Sequence, residues 1–286
     1  METNAETLPV QIITFNIRYA TTDPGPGEEP WSVRCPALCS LLKNATSQAP
    51  STFLCLQEVL HQQLLDILQH LGPEWEYIGR GRGTQPTQEE YSPILYRPTS
   101  WTCSRHDTRW LSEEQTPGSI GWDAACPRIV TMGEFSHVTA QTSVVVMSTH
   151  LDHQGKIARA ESAKMLVKLA AHWGSADHVA TCLVGGDFNS TPDDTAYVIM
   201  TGNESKLADI SRLVKGGDGR PSTEITFTGF RGEGEDDQEC IDYLFIGLES
   251  RATVDRFRVI GNQVEGIVVS DHRPLVADLT ITTKRS

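Results

Sequence analysis

The chain has 286 residues, 38% hydrophobic and 21% charged, the proportions of an ordinary globular protein long enough to bury a sizeable core. Its formal net charge of −13 argues against wholesale coating of nucleic acid, but not against a nuclease that handles phosphate with a bound cation and a few local arginines. Seven scattered cysteines without a Cys-x-x-Cys pair fit neither a zinc site nor a disulfide framework, and read as small buried thiols of a reducing compartment.

The N-terminal METNAETLPVQ has no basic-then-apolar leader, and no apolar run approaches a membrane span. The expectation is a cytoplasmic protein without a signal peptide, able to diffuse into the nucleus. No repeat or low-complexity linker divides the chain, so one domain is expected over residues 1–286.

Val10–Tyr19 is a β-branched run that ends near Asn16, and Thr21–Pro30 is a Gly-, Pro- and acid-rich loop. Trp31–Arg34 leads into a helix carrying Leu38, Leu41 and Leu42, with Pro36 in its first turn. Thr52–Val59 is a buried strand ending in Gln57-Glu58. A carboxylate there is costly to desolvate unless it is paired, metal-bound or turned out to solvent. The helix beginning near His61 carries Leu64, Leu65, Leu68 and Leu71 at core spacing. Tyr77–Glu90 contains GRGRG outside any strand–helix context, so Arg80 and Arg82 are read as residues of a solvated loop. Strands follow at Tyr91–Tyr96, Ala125–Phe135 and Ser143–Asp152, the last placing His150 at its end. Lys156–Trp173 is a helix whose Met165, Leu166, Leu169 and Trp173 face a core.

The central stretch is Ala180–Asp194, ATCLVGGDFNSTPDD. An apolar strand is broken by its glycines, which deliver Asp187 and Asn189 to one side of its carboxyl end. An aspartate can take a proton from water and an amide can hold an oxyanion, the pairing that hydrolysis of a phosphate ester needs. A Gly-Asp turn with an Asn cap is the structural alternative. Asp193–Thr201 and Glu204–Val214 read as helical, and Gly216–Glu239 as irregular and acidic with a short strand at Thr226–Phe230. Its GEGEDDQE run is expected to be a solvated loop. Cys240–Ile246 is a strand holding Asp242, and Ile267–Asp278 presents Asp271-His272, open to both a metal-ligand and an acid–base reading. Trp31, Trp110 and Trp122 are read as large core or rim residues rather than as a substrate mouth.

Each polar residue has a structural explanation of its own, but the recurrence at strand ends points to one shared site. In this order, TFNIRY, LQEV, STHLDH, GGDFN, IDYLF and SDHRP resemble the motif series of the endonuclease/exonuclease/phosphatase superfamily, from Asn16 to His272. The resemblance implies an α/β fold of the DNase I-like kind: a four-layer α/β sandwich, two mixed β-sheets packed face to face with helices outside. It implies Mg²⁺, or alternatively Mn²⁺, held by Glu58 with Asn16 and Asp271. Asp187 would activate water, and Asn189 would hold a phosphate oxygen. His150 and His272 would bind the phosphoryl group, with His272 oriented by Asp242. Glu90 would pair with the first histidine. Apart from the resemblance, Arg128 and Arg159 are candidates for substrate contact. Arg18 replaces the acid that several DNA-repair members carry two residues after the asparagine, which favours a single metal.

The expected activity is metal-dependent hydrolysis of a phosphate ester by in-line attack of water, with a small or lipid-derived substrate favoured. Two alternatives stand beside it. One is a DNA or RNA nuclease using Arg80/Arg82, Arg105/Arg109 and Lys156/Arg159; the other is a catalytically silent binding protein.

Overall fold

The computed structural model describes residues 6–217, 219, 222, 224–231 and 238–283. The first half of the chain contains β1 (Thr7–Asn16), α1 (Trp31–Thr46), β2 (Thr52–Gln57), α2 (His61–Leu71), β3 (Glu76–Ile78), β4 (Ile94–Tyr96), β5 (Trp101–Trp110), β6 (Ile129–His137) and β7 (Ser143–His150). The second half contains α3 (Lys156–Gly174), β8 (Val179–Asp187), α4 (Thr195–Thr201), β9 (Leu207–Asp209), β10 (Asp242–Gly247), β11 (Ala252–Val259), β12 (Gln263–Val264), β13 (Ile267–Val268) and β14 (Leu275–Thr282).

Successive side chains of a strand point to opposite faces, and here both faces of the central strands are apolar. Ile12, Phe53 and Cys55 point into a core shared with Val144, Val146, Leu183 and Leu244 of the other sheet. Their neighbours Ile13, Phe15, Leu54 and Leu56 pack on Leu38 and Leu42 of α1 and on Leu64 and Ile67 of α2. On the far side, Val145, Met147, Val184 and Phe245 pack on Leu166 and Trp173 of α3 and on Met200 of α4. Three cores thus alternate with two sheets, giving the expected helix–sheet–sheet–helix sandwich.

The sheets run β11-β14-β1-β2-β4-β3 and β5-β6-β7-β8-β10-β9. Each holds one central parallel pair, β1 with β2 and β7 with β8, among antiparallel neighbours. Parallel pairing brings two carboxyl ends to one edge, so Asn16 lies opposite Gln57 and His150 opposite Asp187. Antiparallel β10 adds its first residue, Asp242, opposite Asp187.

Several local expectations are corrected. Glycines 185 and 186 do not break β8; they lie inside it, in register with Ser148 and Thr149. Glu204–Val214 is not a helix but β9 followed by a 3₁₀ turn at Ile210–Leu213, capped by Asp209, whose carboxylate accepts from Ser211 N. Thr226–Phe230 forms no strand, only isolated bridges from Phe227 to Glu239 and His272. Pro36 lies past the first turn of α1, since the helix already begins at Trp31. β4 and β6 start later than expected, at Ile94 and Ile129. Within the acidic run, residues 232–237 lie outside the described residues. Edge strands β5 and β11 were missed because their exposed, charged sequences lack apolar alternation. Among the described residues no helix is long and apolar enough to cross a membrane.

Gly185 lets the two sheets approach, and Gly186 lets β8 lie close against β7. A Cβ on Gly185 would lie 3.1 Å from Thr14 Cβ in the opposite sheet, and one on Gly186 only 2.3 Å from the Thr149 carbonyl oxygen. Gly186→Ala is therefore expected to destabilise the fold by about 3 kcal/mol. Gly247→Ala, whose Cβ would meet nothing nearer than 3.8 Å, should change stability by no more than about 1 kcal/mol. Urea unfolding of both variants checks this; equal stabilities would contradict it.

Candidate active site

Six strand ends and their first loop residues meet at one edge of the sandwich. Asn16 ends β1, Glu58 follows β2, His150 ends β7, Asp187 ends β8 and Asp242 begins β10. Asp271 and His272 come from the segment before β14, fixed by Ser270, whose hydroxyl donates to the Asn16 carbonyl at 2.6 Å. Glu58 and Asn189 adopt left-handed backbone conformations, φ 59° and 46°, which turn their side chains back over the strand ends. Arg18, Glu58, Arg82, Glu90, Arg128, His150, Asp187, Asn189, Asp271 and His272 all line one open cleft of about 480 Å³.

Asp187 is the hub. Its Oδ1 accepts from the Asn189 backbone N–H at 2.9 Å, and its Oδ2 accepts from Asn16 Nδ2 of the other sheet at 3.0 Å. The same oxygen lies 3.3 Å from His150 Nε2 and 3.6 Å from His272 Nε2. Asn16 Nδ2 also donates to Glu58 Oε1 at 3.0 Å, while its Oδ1 accepts from Arg18 N. Asn189 Nδ2 donates to the Leu151 carbonyl and contacts His150 Nε2, both at 3.0 Å. Asp242 Oδ2 holds His272 Nδ1 at 2.8 Å.

Burial raises the Asp187 carboxyl to about 7, with Asp242 adding to the shift and His272 opposing it. The two imidazoles are driven apart. Burial, Arg128 and Arg82 hold His150 well below its usual pKa, so it is neutral. Burial also opposes charge on His272, but Asp242 and Asp187 outweigh it and hold that ring well above its usual pKa. A neutral and a charged imidazole therefore flank one carboxylate.

The model of the endonuclease/exonuclease/phosphatase family matches residues 13–272. The chain belongs to that family. Its fold is shared with a family member from Bacteroides vulgatus at 31% identity and TM-score 0.83, covering 96% of this chain and 99% of that one. A mannosyl-6-phosphatase from Bacteroides thetaiotaomicron is similar at 26% identity and TM-score 0.82, covering 94% and 99%. The human Nocturnin catalytic domain with bound sulfate shares the fold at 15% identity and TM-score 0.71, covering 97% and 98%. No curated protein matches the sequence.

With the family in hand, the donors can be tested for a divalent cation. Glu58 and Asp271 face the same cleft. Burial raises the Asp271 pKa, with His272 opposing and the Glu58 charge adding. Two hard carboxylates that repel each other across a wet cleft fit a cation that keeps several waters, as Mg²⁺ does. Asn16 fits less well than expected, because its amide NH₂ rather than its oxygen faces Glu58 and Asp187. Asp187, Asp242 and His272 also cluster closely enough to hold a metal ion, with His272 Nδ1 bonded to Asp242 at 2.8 Å.

Two expected contacts are absent. Glu90 bonds Arg82 Nη2 at 2.7 Å instead of His150, whose Nδ1 is buried without a partner among the described residues. Burial raises Glu90 to about 7, with Arg82 opposing. Arg159 does not line the cleft; it is buried against the Asp152 carbonyl and Asp194, at 3.0 and 3.1 Å, and so braces two loops. Arg128 does reach the cleft. Arg18 lines it too, but Glu28 holds it at 3.1 Å and Glu58 lies 4.0 Å away. Trp110 is buried and donates to the Arg82 carbonyl, and Trp31 donates to Asp66. Arg82, read as a loop residue, is only 9% exposed at the cleft. His153 and Phe227, also missed, line it as well, Phe227 with its ring 5.0 Å from that of His272.

Asp152 was missed although it stands inside the STHLDH motif. It accepts from the backbone N–H groups of Gly155, Gln154 and Ala125 and from Arg128 Nε. Burial opposes its charge, but these donors hold its pKa at about 2. A folded pKa below the unfolded value of about 3.9 gives stability that is complete above that value and lost as pH falls towards the folded one. Asp152→Asn is expected to cost about 3 kcal/mol at pH 7. In urea unfolding the gap to wild type should narrow between pH 7 and pH 3; a gap independent of pH would contradict the assignment.

Proposed function

We propose that this protein is a divalent-cation-dependent phosphoesterase that hydrolyses small phosphate esters by in-line attack of water. The observation that carries the reading is a buried Asp187 carboxyl fixed between two amides, with His150 Nε2 and His272 Nε2 at 3.3 and 3.6 Å from one of its oxygens; burial raises its pKa to about 7. Such a carboxylate can take a proton from water and return it near neutral pH. Charged His272, backed by Asp242, donates to a phosphoryl oxygen as negative charge builds there. Asn189 and His150 hold the opposite side of the same group. Glu58 and Asp271 would hold the cation, which supplies Lewis-acid neutralisation of the phosphoryl oxygens.

Small esters are supported by three observations. The cleft of about 480 Å³ suits a compact ligand. Four of the five arginines that would have to form a nucleic-acid track are bonded to acids: Arg82 to Glu90, Arg105 to Glu134, Arg109 to Asp107 and Arg159 to Asp194, while Arg80 donates to the Thr84 carbonyl. The similarity to a mannosyl-6-phosphatase, at 26% identity over nearly the whole chain, points the same way.

The test is hydrolysis of a chromogenic monoester, a chromogenic diester, supercoiled DNA and a short RNA with Mg²⁺, Mn²⁺ or EDTA. Turnover of a small ester should require the cation and fall about 10³-fold in Asp187→Asn and in His272→Ala, with circular dichroism unchanged. Full turnover in both variants would overturn the site. Cleavage confined to DNA or RNA would favour the nuclease, and silence on every substrate the non-catalytic binding protein.

A further inference from the structure

Beside His150 the cleft wall changes sign. Arg128 is 5% exposed, at the cleft-lining start of β6, and Arg82 closes the same wall. The charged partners of this wall are already matched. Arg82 is paired with Glu90. Asp152, the partner of Arg128, carries three backbone N–H donors besides the Arg128 Nε at 3.3 Å. Arg128 Nη2 contacts His153 Nδ1 at 3.0 Å, a neutral partner when it accepts. That leaves Arg128 Nη1, buried and with no hydrogen-bond partner among the described residues. A guanidinium cannot lose its proton, and a buried N–H without an acceptor is costly, so the site calls for an oxygen anion.

We propose that Arg128, with Arg82 behind it, binds a second anionic oxygen of the phosphoryl group and so selects dianionic phosphomonoesters over monoanionic phosphodiesters. This rests on the phosphoesterase reading and deepens it. The geometry divides the labour within the cleft. Glu58 follows β2 and Asp271 precedes β14, with Arg18 beside them, whereas Arg128 precedes β6 and sits with Arg82 against His150. His150 is neutral and adds no charge there, so Arg128 and Arg82 are the cations next to it. A monoester above its second pKa of about 6 presents two charges to share between these sides, whereas a diester presents one and puts a second organic group against Arg128.

A single water offers a competing account. A small space of about 10 Å³ is lined by Arg82, Glu90, Arg128 and His150 among others, and one water there could accept from Nη1 and from His150. The two accounts differ in what Arg128 does for an anion.

The experiment compares p-nitrophenyl phosphate with methyl p-nitrophenyl phosphate at pH 8, with Mg²⁺, for wild type, Arg128→Gln and Arg128→Lys. In parallel, inorganic phosphate is titrated calorimetrically into the same proteins in EDTA. Wild type should favour the monoester in kcat/KM by at least about tenfold, and Arg128→Gln should cut that preference by about 10- to 100-fold. The loss should appear mainly in KM, with phosphate affinity falling in step and Arg128→Lys recovering part of both. A wild-type preference for the diester overturns the proposal without any variant, so a poorly folded Arg128→Gln does not shield it. Unchanged phosphate affinity in a folded Arg128→Gln also overturns it and assigns Nη1 to the water. Hydrolysis of neither ester would instead count against the phosphoesterase reading itself.

Discussion

Asp187 is a carboxylate at the seam between two sheets, 1% exposed, and the edge of the sandwich is arranged to tolerate it. Leaving such a group unpaired would cost several kcal/mol, so its oxygens are tied to a backbone N–H two residues on and to an amide from the opposite sheet. That cross-sheet bond requires the sheets to approach closely, which Gly185 permits. It also requires β1 and β8 to end at the same height. The parallel pairs β1–β2 and β7–β8 then bring the ends of β2 and β7 level with them.

The electrostatic division of labour follows from position within this frame. His150 shares its end of the cleft with two guanidiniums, and His272 shares its end with two carboxylates. Burial disfavours charge on both rings; the guanidiniums add to that at His150, and the carboxylates outweigh it at His272. Arg128, before β6, and Arg82 lie beside His150, while Glu58 and Asp271 lie beside Arg18 at the strand ends of the other sheet.

What the sequence made legible was the strand-end chemistry. Asn16, Glu58, His150, Asp187 and Asp242 are each preceded or followed by a buried apolar run, and such runs announce where a strand stops. The motif order then related those ends to a known family. Asp152 and His153 escaped, and the burial of Arg82 with them, because they lie on loops, where no periodicity marks burial, and because the bonds that fix them join distant segments. Nothing local distinguishes a buried Arg82 from a solvated arginine in GRGRG. The expected Glu90–His150 pairing failed for a similar reason: Arg82 comes between, and a guanidinium is a stronger partner for a carboxylate than a neutral ring. The direction of the Asn16 amide was also beyond reach, since it depends on which groups from other strands arrive beside it. β5 and β11 were invisible because edge strands need no apolar face on every second residue.

The central claim is that this cleft holds a cation site built on Glu58 and Asp271. Titration of Mn²⁺ followed by electron paramagnetic resonance tests it without reference to any substrate. Wild type should take up Mn²⁺ at one site, and Glu58→Gln and Asp271→Asn should each weaken that binding by at least about tenfold. Mn²⁺ affinity unchanged in both variants, with the proteins folded, would contradict the account and move the metal, and the chemistry that depends on it, elsewhere.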